Sequence, residues 1–250
     1  MKKKIKSEEV DVLAIGAHPD DVELSAGGAV AKLTLEGKKV AILDLTKGEL
    51  GTRGTKEKRL KESKNAMEIL GVHQRVNLGF KDGGVAVTEE NELKIITQIR
   101  RFRPKIVLMN PPYERHPDHE TTHNLVRSAM FKSGLKKIET TFEGIQQENW
   151  RIRKMFCYMQ AYHFQNVPWF CIDISETFQT KMKAIKAYIS QVYVPGLSNP
   201  DEPVTRLSRP EFLEELESRA VYFGTLVGVK YAEPFCSVEP LGLNSFSDLL

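Results

Sequence analysis

Short aliphatic runs alternate with segments of helical spacing along most of the chain. That alternation restricts the fold more than any other feature, because it is the pattern of a mostly parallel sheet crossed by helices. Val10–Ala17 reads as the first strand, Gly28–Glu36 as a helix closed by Gly37, Lys39–Leu45 as the second strand, and Lys56–Leu70 as a charged helix closed by Gly71. Gln74–Leu78 reads as the third strand. Glu92–Phe102 carries Leu93, Ile96 and Ile99 at helical spacing, and Ile106–Asn110 is a fourth, buried strand running into Pro111 and Pro112. His119–Ser133 then reads as a helix, Met155–Tyr162 and Phe170–Ile174 as strands, and Glu176–Gln191 as a long amphipathic helix. A polar, Pro-rich loop from Pro195 to Pro210 precedes a last helix, Glu211–Phe223. The expected fold is α/β and Rossmann-like, with helices on both faces of the sheet and an elaborated C-terminal part. With no internal repeat and no linker long enough to separate two units, residues 1–250 are expected to form a single domain.

Composition removes several function classes. A chain of 250 residues, 41% hydrophobic and 28% charged, can bury a core without disulfide or metal staples. Lysine and arginine outnumber aspartate and glutamate by 36 to 33, a net charge of +3. That excess is too small to attract a polyanion unless it is gathered on one face, so no nucleic acid is expected as partner. Cys157, Cys171 and Cys236 are too few and too widely spaced for a disulfide framework or a metal clip, and read as buried thiols in a reducing, cytoplasmic setting. The lysine-rich start has the charge of a signal peptide, but the apolar stretch after it is interrupted by Asp11 and reads as a strand. No apolar run approaches the roughly 18 residues of a membrane span, so no membrane partner is expected.

Two clusters of histidine and carboxylate stand at strand ends. The first, Ala17-His18-Pro19-Asp20-Asp21-Val22-Glu23, lies at the carboxyl end of the first strand, where open α/β sheets place their ligands. His18 and Asp21, three apart in a tight turn, can face one point, and Asp20 can reach the same space without ligating, as a base. A plainer reading stays open, in which Asp20 or Asp21 caps the next helix and His18 is a hydrogen-bonded turn residue. The second cluster, Glu114-Arg115-His116-Pro117-Asp118-His119, follows the fourth strand and opens on the same sheet edge. His119 would complete a His-Asp-His set of three ligands with a fourth position left to water, the arrangement of a catalytic zinc. Zinc lowers the pKa of bound water to about 7 and polarises a carbonyl, so such a site implies hydrolysis. His123, four residues farther on, is read as exposed or supporting, and His73 and His163 as structural.

With His18-Pro19-Asp20-Asp21 after the first strand and Arg115-His116-Pro117-Asp118-His119 after the fourth, the chain resembles the zinc-dependent LmbE-like deacetylases, which include the phosphatidylinositol-glycan (PIG-L) enzymes. The likeness extends through Thr46-Lys47-Gly48-Glu49-Leu50-Gly51-Thr52-Arg53-Gly54 and the closing Tyr231-Ala232-Glu233-Pro234-Phe235, so it covers most of the chain. The wording of the motifs is most similar to bacterial enzymes that deacetylate N-acetylglucosaminyl-malate in bacillithiol synthesis. A chitooligosaccharide, or another small N-acetylglucosamine compound, is the alternative substrate. The resemblance implies an LmbE-like architecture in which His18, Asp21 and His119 hold Zn2+, with Fe2+ the alternative metal. It implies Asp20 as the general base and His116 as the acid that stabilises the oxyanion and protonates the leaving amine. Asp118 is then the carboxylate that orients His116 and raises its pKa, with a helix cap as its plainer role. The same likeness implies a homo-oligomer, a hexamer or another closed assembly.

Substrate contacts are less determined by the motifs. Arg53 and Arg115 can each bind a carboxylate such as that of malate through paired hydrogen bonds, and each is equally readable as a solvated loop residue. Asp82 matches the family position that accepts a sugar hydroxyl, with a turn aspartate as its alternative. Tyr193, beside a Pro-Gly loop, belongs either to a lid or to the core. Two rivals of other classes remain. A dinucleotide-binding Rossmann domain would use Asp44 at the end of the second strand, but Pro19 and two carboxylates stand where backbone amides should cradle a pyrophosphate. A non-catalytic zinc-binding protein is the other.

Overall fold

The computed structural model describes residues 8–199, 201–240, 242 and 245; the basic start of the chain lies outside them. In chain order the elements are β1 (Val12–Gly16), α1 (Asp21–Leu35), β2 (Val40–Thr46), α2 (Lys56–Leu70), β3 (Gln74–Phe80), α3 (Glu89–Phe102), β4 (Ile106–Met109) and α4 (Pro117–Ser133). A short hairpin of β5 (Thr141–Phe142) and β6 (Ile145–Gln146) follows, then β7 (Lys154–Tyr158), β8 (Trp169–Asp173), α5 (Phe178–Lys186), α6 (Phe212–Val227) and β9 (Ala232–Cys236).

Seven strands form one sheet in the order β3-β2-β1-β4-β7-β9-β8. β1 lies parallel to both β2 and β4, with Val12 opposite Val40 on one side and Ile106 on the other. β3 and β7 continue the parallel pattern, and only β9 runs antiparallel to its neighbours. The chain winds outward from β1 through β2 to β3, then crosses back to β4. Between β1 and β4 the winding direction reverses, and a crevice opens there beyond the carboxyl ends of the strands.

Alternate residues of the central strands feed two cores. Val12, Ala14, Val40 and Ile42 face α1, α2, α5 and α6 through Val22, Ala26, Leu70, Ile185 and Leu216. Leu13, Ile15, Leu43 and Val107 face α3 and α4 through Ile95, Ile99, Phe102, Leu125 and Ala129. The mixed α/β, mostly parallel architecture with helices on both faces is therefore the one expected.

Several boundaries differ. The first helix begins at Asp21 and not at Gly28, because Gly27 and Gly28 lie inside it where it packs tightly on the sheet. A Cβ on Gly28 would stand 2.7 Å from Ile174 Cδ1 and 2.8 Å from its Cβ. The Tyr231–Phe235 motif is a strand, β9, despite Pro234. β9 meets β7 over two residue pairs only, and Pro234 lies where that pairing ends, so its missing N–H interrupts no ladder there. The long helix expected over Glu176–Gln191 closes at Lys186, and the β5–β6 hairpin has no counterpart in the sequence pattern.

Candidate active site

β1 delivers its last residues to a tight turn from which α1 starts. His18 and Asp21 close that turn through the backbone: the Asp21 N–H donates to His18 O at 3.3 Å and the His18 N–H to Asp21 Oδ2 at 3.1 Å. On the neighbouring strand, β4 ends at Met109, and the loop after it returns at His116 to begin α4 with Pro117 at its first turn. His116 is the cap of that helix, its Nδ1 accepting the Asp118 N–H at 3.2 Å. Both clusters thus project from the two strands that flank the reversal of winding.

There they converge. His18 Nδ1 lies 3.8 Å from Asp21 Oδ2, His119 Nε2 lies 3.2 Å from Asp21 Oδ1, and the two ring nitrogens are 3.3 Å apart. Ligands about 2.1 Å from one tetrahedral ion stand about 3.4 Å from each other; the two imidazole nitrogens meet that spacing, and Asp21 presents one carboxylate oxygen to each of them. The donor chemistry, two imidazoles and a carboxylate, suits Zn2+ or Fe2+. Asp21 is held from behind by Asn110 Nδ2 at 3.2 Å and Gln160 Nε2 at 3.1 Å. The far nitrogen of His18, Nε2, meets Asp82 Oδ1 at 3.0 Å and Asp118 Oδ2 at 3.3 Å, which fixes the ring and leaves Nδ1 for a ligand, as outer carboxylates do for metal-binding histidines. His116 stands with His18 and His119 in a set of ring nitrogens within 4.8 Å of one another, and His18, Asp82 and Asp118 form a second set of possible ligands.

Negative charge dominates the spot. Burial disfavours the His18 imidazolium, yet hydrogen bonds from Asp118 and Asp82 and the charge of Asp21 outweigh it and lift His18 to about 10. Burial would also raise Asp21, but His119 and His18 hold its carboxyl far below the usual range. Asp82 falls to about 2, its burial outweighed by His18 and the Leu50 N–H. Asp20 behaves oppositely: burial lifts its carboxyl to about 6 against the pull of Arg59, and the charge of Asp21 adds to the rise. Asp20 occupies the cap position of α1 in a left-handed conformation (φ 111°), and its carboxylate caps nothing. It accepts instead from Arg59 Nη2 at 2.7 Å, while Arg59 Nε and Nη2 also donate to Pro19 O at 3.1 and 2.9 Å. A non-glycine residue in that backbone region costs of order 1–3 kcal/mol and persists where its surroundings enforce it, as Arg59 does here.

The converging groups form the floor of a cavity of about 360 Å³. Asp82 and Leu50 stand on one side and Arg115 and Gln160 on another, while Arg206, Leu207, Phe212, Leu216 and Arg219 close it from the C-terminal part. Arg59, Asn110, Gln160 and the 205–219 wall were not read from the sequence. Asn110 alone carried a signal, as the polar residue ending a buried strand beside the second cluster.

Three expected roles are corrected. The Asp118 carboxylate does not orient His116: it accepts from Gly83 N–H at 2.8 Å and Val85 N–H at 3.3 Å and faces His18, because the α4 cap turns it toward the loop after β3. Nor does it cap the helix. Burial and the charges of His18 and His119 lower the His116 pKa, against Asp118 and Asp21. Arg53 is buried away from the cavity, donating to Ser190 O, Glu202 O and Pro203 O at 3.2, 3.1 and 2.9 Å and pairing with Glu202. Tyr193 is half-buried outside the lining, where Gln191 stands instead. Arg115 is exposed on the cavity wall, and Asp82 lines it with one oxygen on His18 and the other accepting the Leu50 N–H at 2.8 Å. Asp44, which a dinucleotide would require, is locked to Arg75 Nε and Nη2 at 2.7 and 2.8 Å. His123 is buried, its Nδ1 on Asn110 O at 3.1 Å.

Comparison with known proteins gives concordant results. Residues 13–130 match the PIG-L family, described as GlcNAc-PI de-N-acetylase. The chain is 33% identical over 236 residues to a diacetylchitobiose deacetylase of Thermococcus kodakarensis, a match covering 89% of this chain and 80% of that one. It is 26% identical over 196 residues to a probable N-acetyl-alpha-D-glucosaminyl L-malate deacetylase 2 of Bacillus anthracis, covering 73% and 82%. Among solved structures, the conserved protein TT1542 from Thermus thermophilus superposes with a TM-score of 0.80 at 36% identity, over 94% of this chain and 97% of that one.

Proposed function

The chain belongs to the PIG-L family of LmbE-like deacetylases, and on that premise we propose that it is a metal-dependent amide hydrolase that removes the N-acetyl group from a glucosamine unit of a small conjugate. The observation that carries this reading is the convergence of His18 Nδ1, Asp21 and His119 Nε2, 3.2 to 3.8 Å apart, on a cavity floor beside a buried carboxylate. His18, Asp21 and His119 hold the metal, Zn2+ or Fe2+. When bound, the ion supplies Lewis acidity toward the amide carbonyl and makes water nucleophilic at neutral pH.

Asp20 accepts the proton of the attacking water. Its carboxyl, lifted to about 6 by burial, is ionised at neutral pH yet basic enough for the task, and Arg59 at 2.7 Å keeps it in place. His116 stabilises the oxygen of the tetrahedral carbon. Its Nδ1 accepts the Asp118 N–H, so the ring proton sits on Nε2 and the neutral imidazole is a hydrogen-bond donor. With His116 lowered in pKa, the proton gained by Asp20 is the one returned to the departing amine.

The glycan reading, a conjugate such as diacetylchitobiose, is supported by Arg53, one of two candidates for a malate carboxylate, being committed to the 199–203 loop. The malate conjugate is the second reading, favoured by the exposed guanidinium groups of Arg115 and Arg206 on the wall. An amine-release assay on diacetylchitobiose, N-acetylglucosamine and N-acetylglucosaminyl-malate separates the two. Asp20→Asn should retain its metal and lose on the order of 10²-fold or more in kcat; undiminished turnover in that variant overturns the base assignment. Preference for the malate conjugate, abolished in Arg115→Ala, selects the second reading, and no amine from any of the three overturns both.

A further inference from the structure

Tyr113 and Tyr162 come from different loops, after β4 and after β7, yet their rings stack with centroids 5.4 Å apart and planes inclined by 28°. Both are exposed, at 57% and 39%. Each is the chain neighbour of a cavity-lining residue, Glu114 and Ala161 respectively. The pair is built rather than incidental. Glu114 is 5% exposed, and its carboxylate accepts the N–H groups of Ala161 at 2.7 Å, Tyr162 at 3.3 Å and Arg115 at 2.6 Å, joining the two loops through one buried group. Single exposed aromatics need no explanation, but these two stacked rings are exposed together, each next in the chain to a residue that lines the cavity and both held through the buried Glu114, which makes them a ready aromatic surface beside it.

We infer that this stack is a platform for the second sugar ring of the substrate, the unit linked to the one whose acetyl group is removed. The cavity is at the low end of the roughly 300–1,000 Å³ of ligand pockets, so a linked unit extends to its rim. A pyranose presents there a face of C–H bonds, whose positive edge complements the negative face of a phenol ring, while its hydroxyl rim stays hydrated. The pre-formed stack leaves little rotamer freedom to lose on binding. The inference rests on the glycan reading above and deepens it, by making the platform the feature that separates disaccharide from monosaccharide.

The test compares N-acetylglucosamine with N,N'-diacetylchitobiose in metal-loaded full-length protein. Dissociation constants come from calorimetry on the Asp20→Asn background, and kcat and KM from amine release on the otherwise unchanged enzyme. Tyr113→Ala and Tyr162→Ala should raise the disaccharide Kd and KM about 2- to 10-fold, with kcat and the monosaccharide Kd unchanged, and Tyr113→Phe and Tyr162→Phe should restore wild-type values. Alanine variants that bind the disaccharide as tightly as wild type, or that lose both sugars equally, overturn the platform while leaving the deacetylase reading standing. A wild-type protein that neither binds nor deacetylates either sugar overturns the glycan reading and the platform with it.

Discussion

Asp118 and Arg59 each touch one residue of the proposed site, His18 and Asp20, and do different things to them. Asp118 faces His18 Nε2 and two backbone N–H groups, so its effect runs through the proposed ligand His18. Asp118→Asn should weaken metal affinity about 10- to 100-fold, measured by competition with a chelating dye. A variant with normal affinity and reduced kcat would instead return Asp118 to His116. Arg59 holds the Asp20 carboxylate, so Arg59→Met should keep the metal and lower kcat about 10-fold or more in the amine-release assay; unchanged turnover would remove Arg59 from the machinery. At this scale the sequence was readable where chemistry is contiguous. The His18–Asp21 and His116–His119 motifs stand at strand ends and point to one place. Their supports come from distant segments: Arg59 from α2, and Gln160 from the loop after β7. Nothing in the spacing of those residues sets them apart from solvated ones.

The elements are held to one another by buried ion pairs as well as by apolar packing. Glu23 on α1, Asp44 on β2 and Arg75 on β3 form one network, with Arg75 bonded to both carboxylates and Tyr188 donating to Glu23 at 2.9 Å. Arg75→Met leaves two buried carboxylates without a cation and should cost about 3–5 kcal/mol in denaturant unfolding; a loss below 1 kcal/mol would show the pair to be dispensable. Glu233 on β9 similarly accepts from the Gly28 and Ala29 N–H groups at 2.9 and 2.7 Å and from Lys181 Nζ at 2.6 Å, tying the last strand to α1 and α5. That gives the closing Tyr231–Phe235 motif a structural role. Gly28→Ala, which drives a methyl group into Ile174, should cost about 1–3 kcal/mol and lower Tm. The central strands β1, β2 and β4 were legible because they are buried along nearly their whole length and read as aliphatic runs. β9 was not, because Pro234 interrupts it, and α1 was started late because two glycines that serve close packing look like a break.

Across the whole molecule the work divides along the chain. The match to the family covers residues 13–130, the part that carries both clusters and the reversal of winding between β1 and β4. The cavity wall formed by Arg206, Leu207, Phe212, Leu216 and Arg219 lies beyond it, so relatives that share the floor can differ in what they admit. The fold alone would have permitted a dinucleotide site, and the residues at the crevice decide otherwise. No helix among the described residues is long and apolar enough to cross a membrane. The central claim is that three side chains from two strand ends hold a metal on which amide hydrolysis depends. Its most direct test is amine release from diacetylchitobiose by protein stripped with a chelator, verified metal-free, and then titrated with Zn2+ or Fe2+. Activity should vanish on stripping and return in proportion to one equivalent of metal per chain, and Asp21→Ala should bind and respond to neither. Undiminished turnover by the verified metal-free protein would contradict the account.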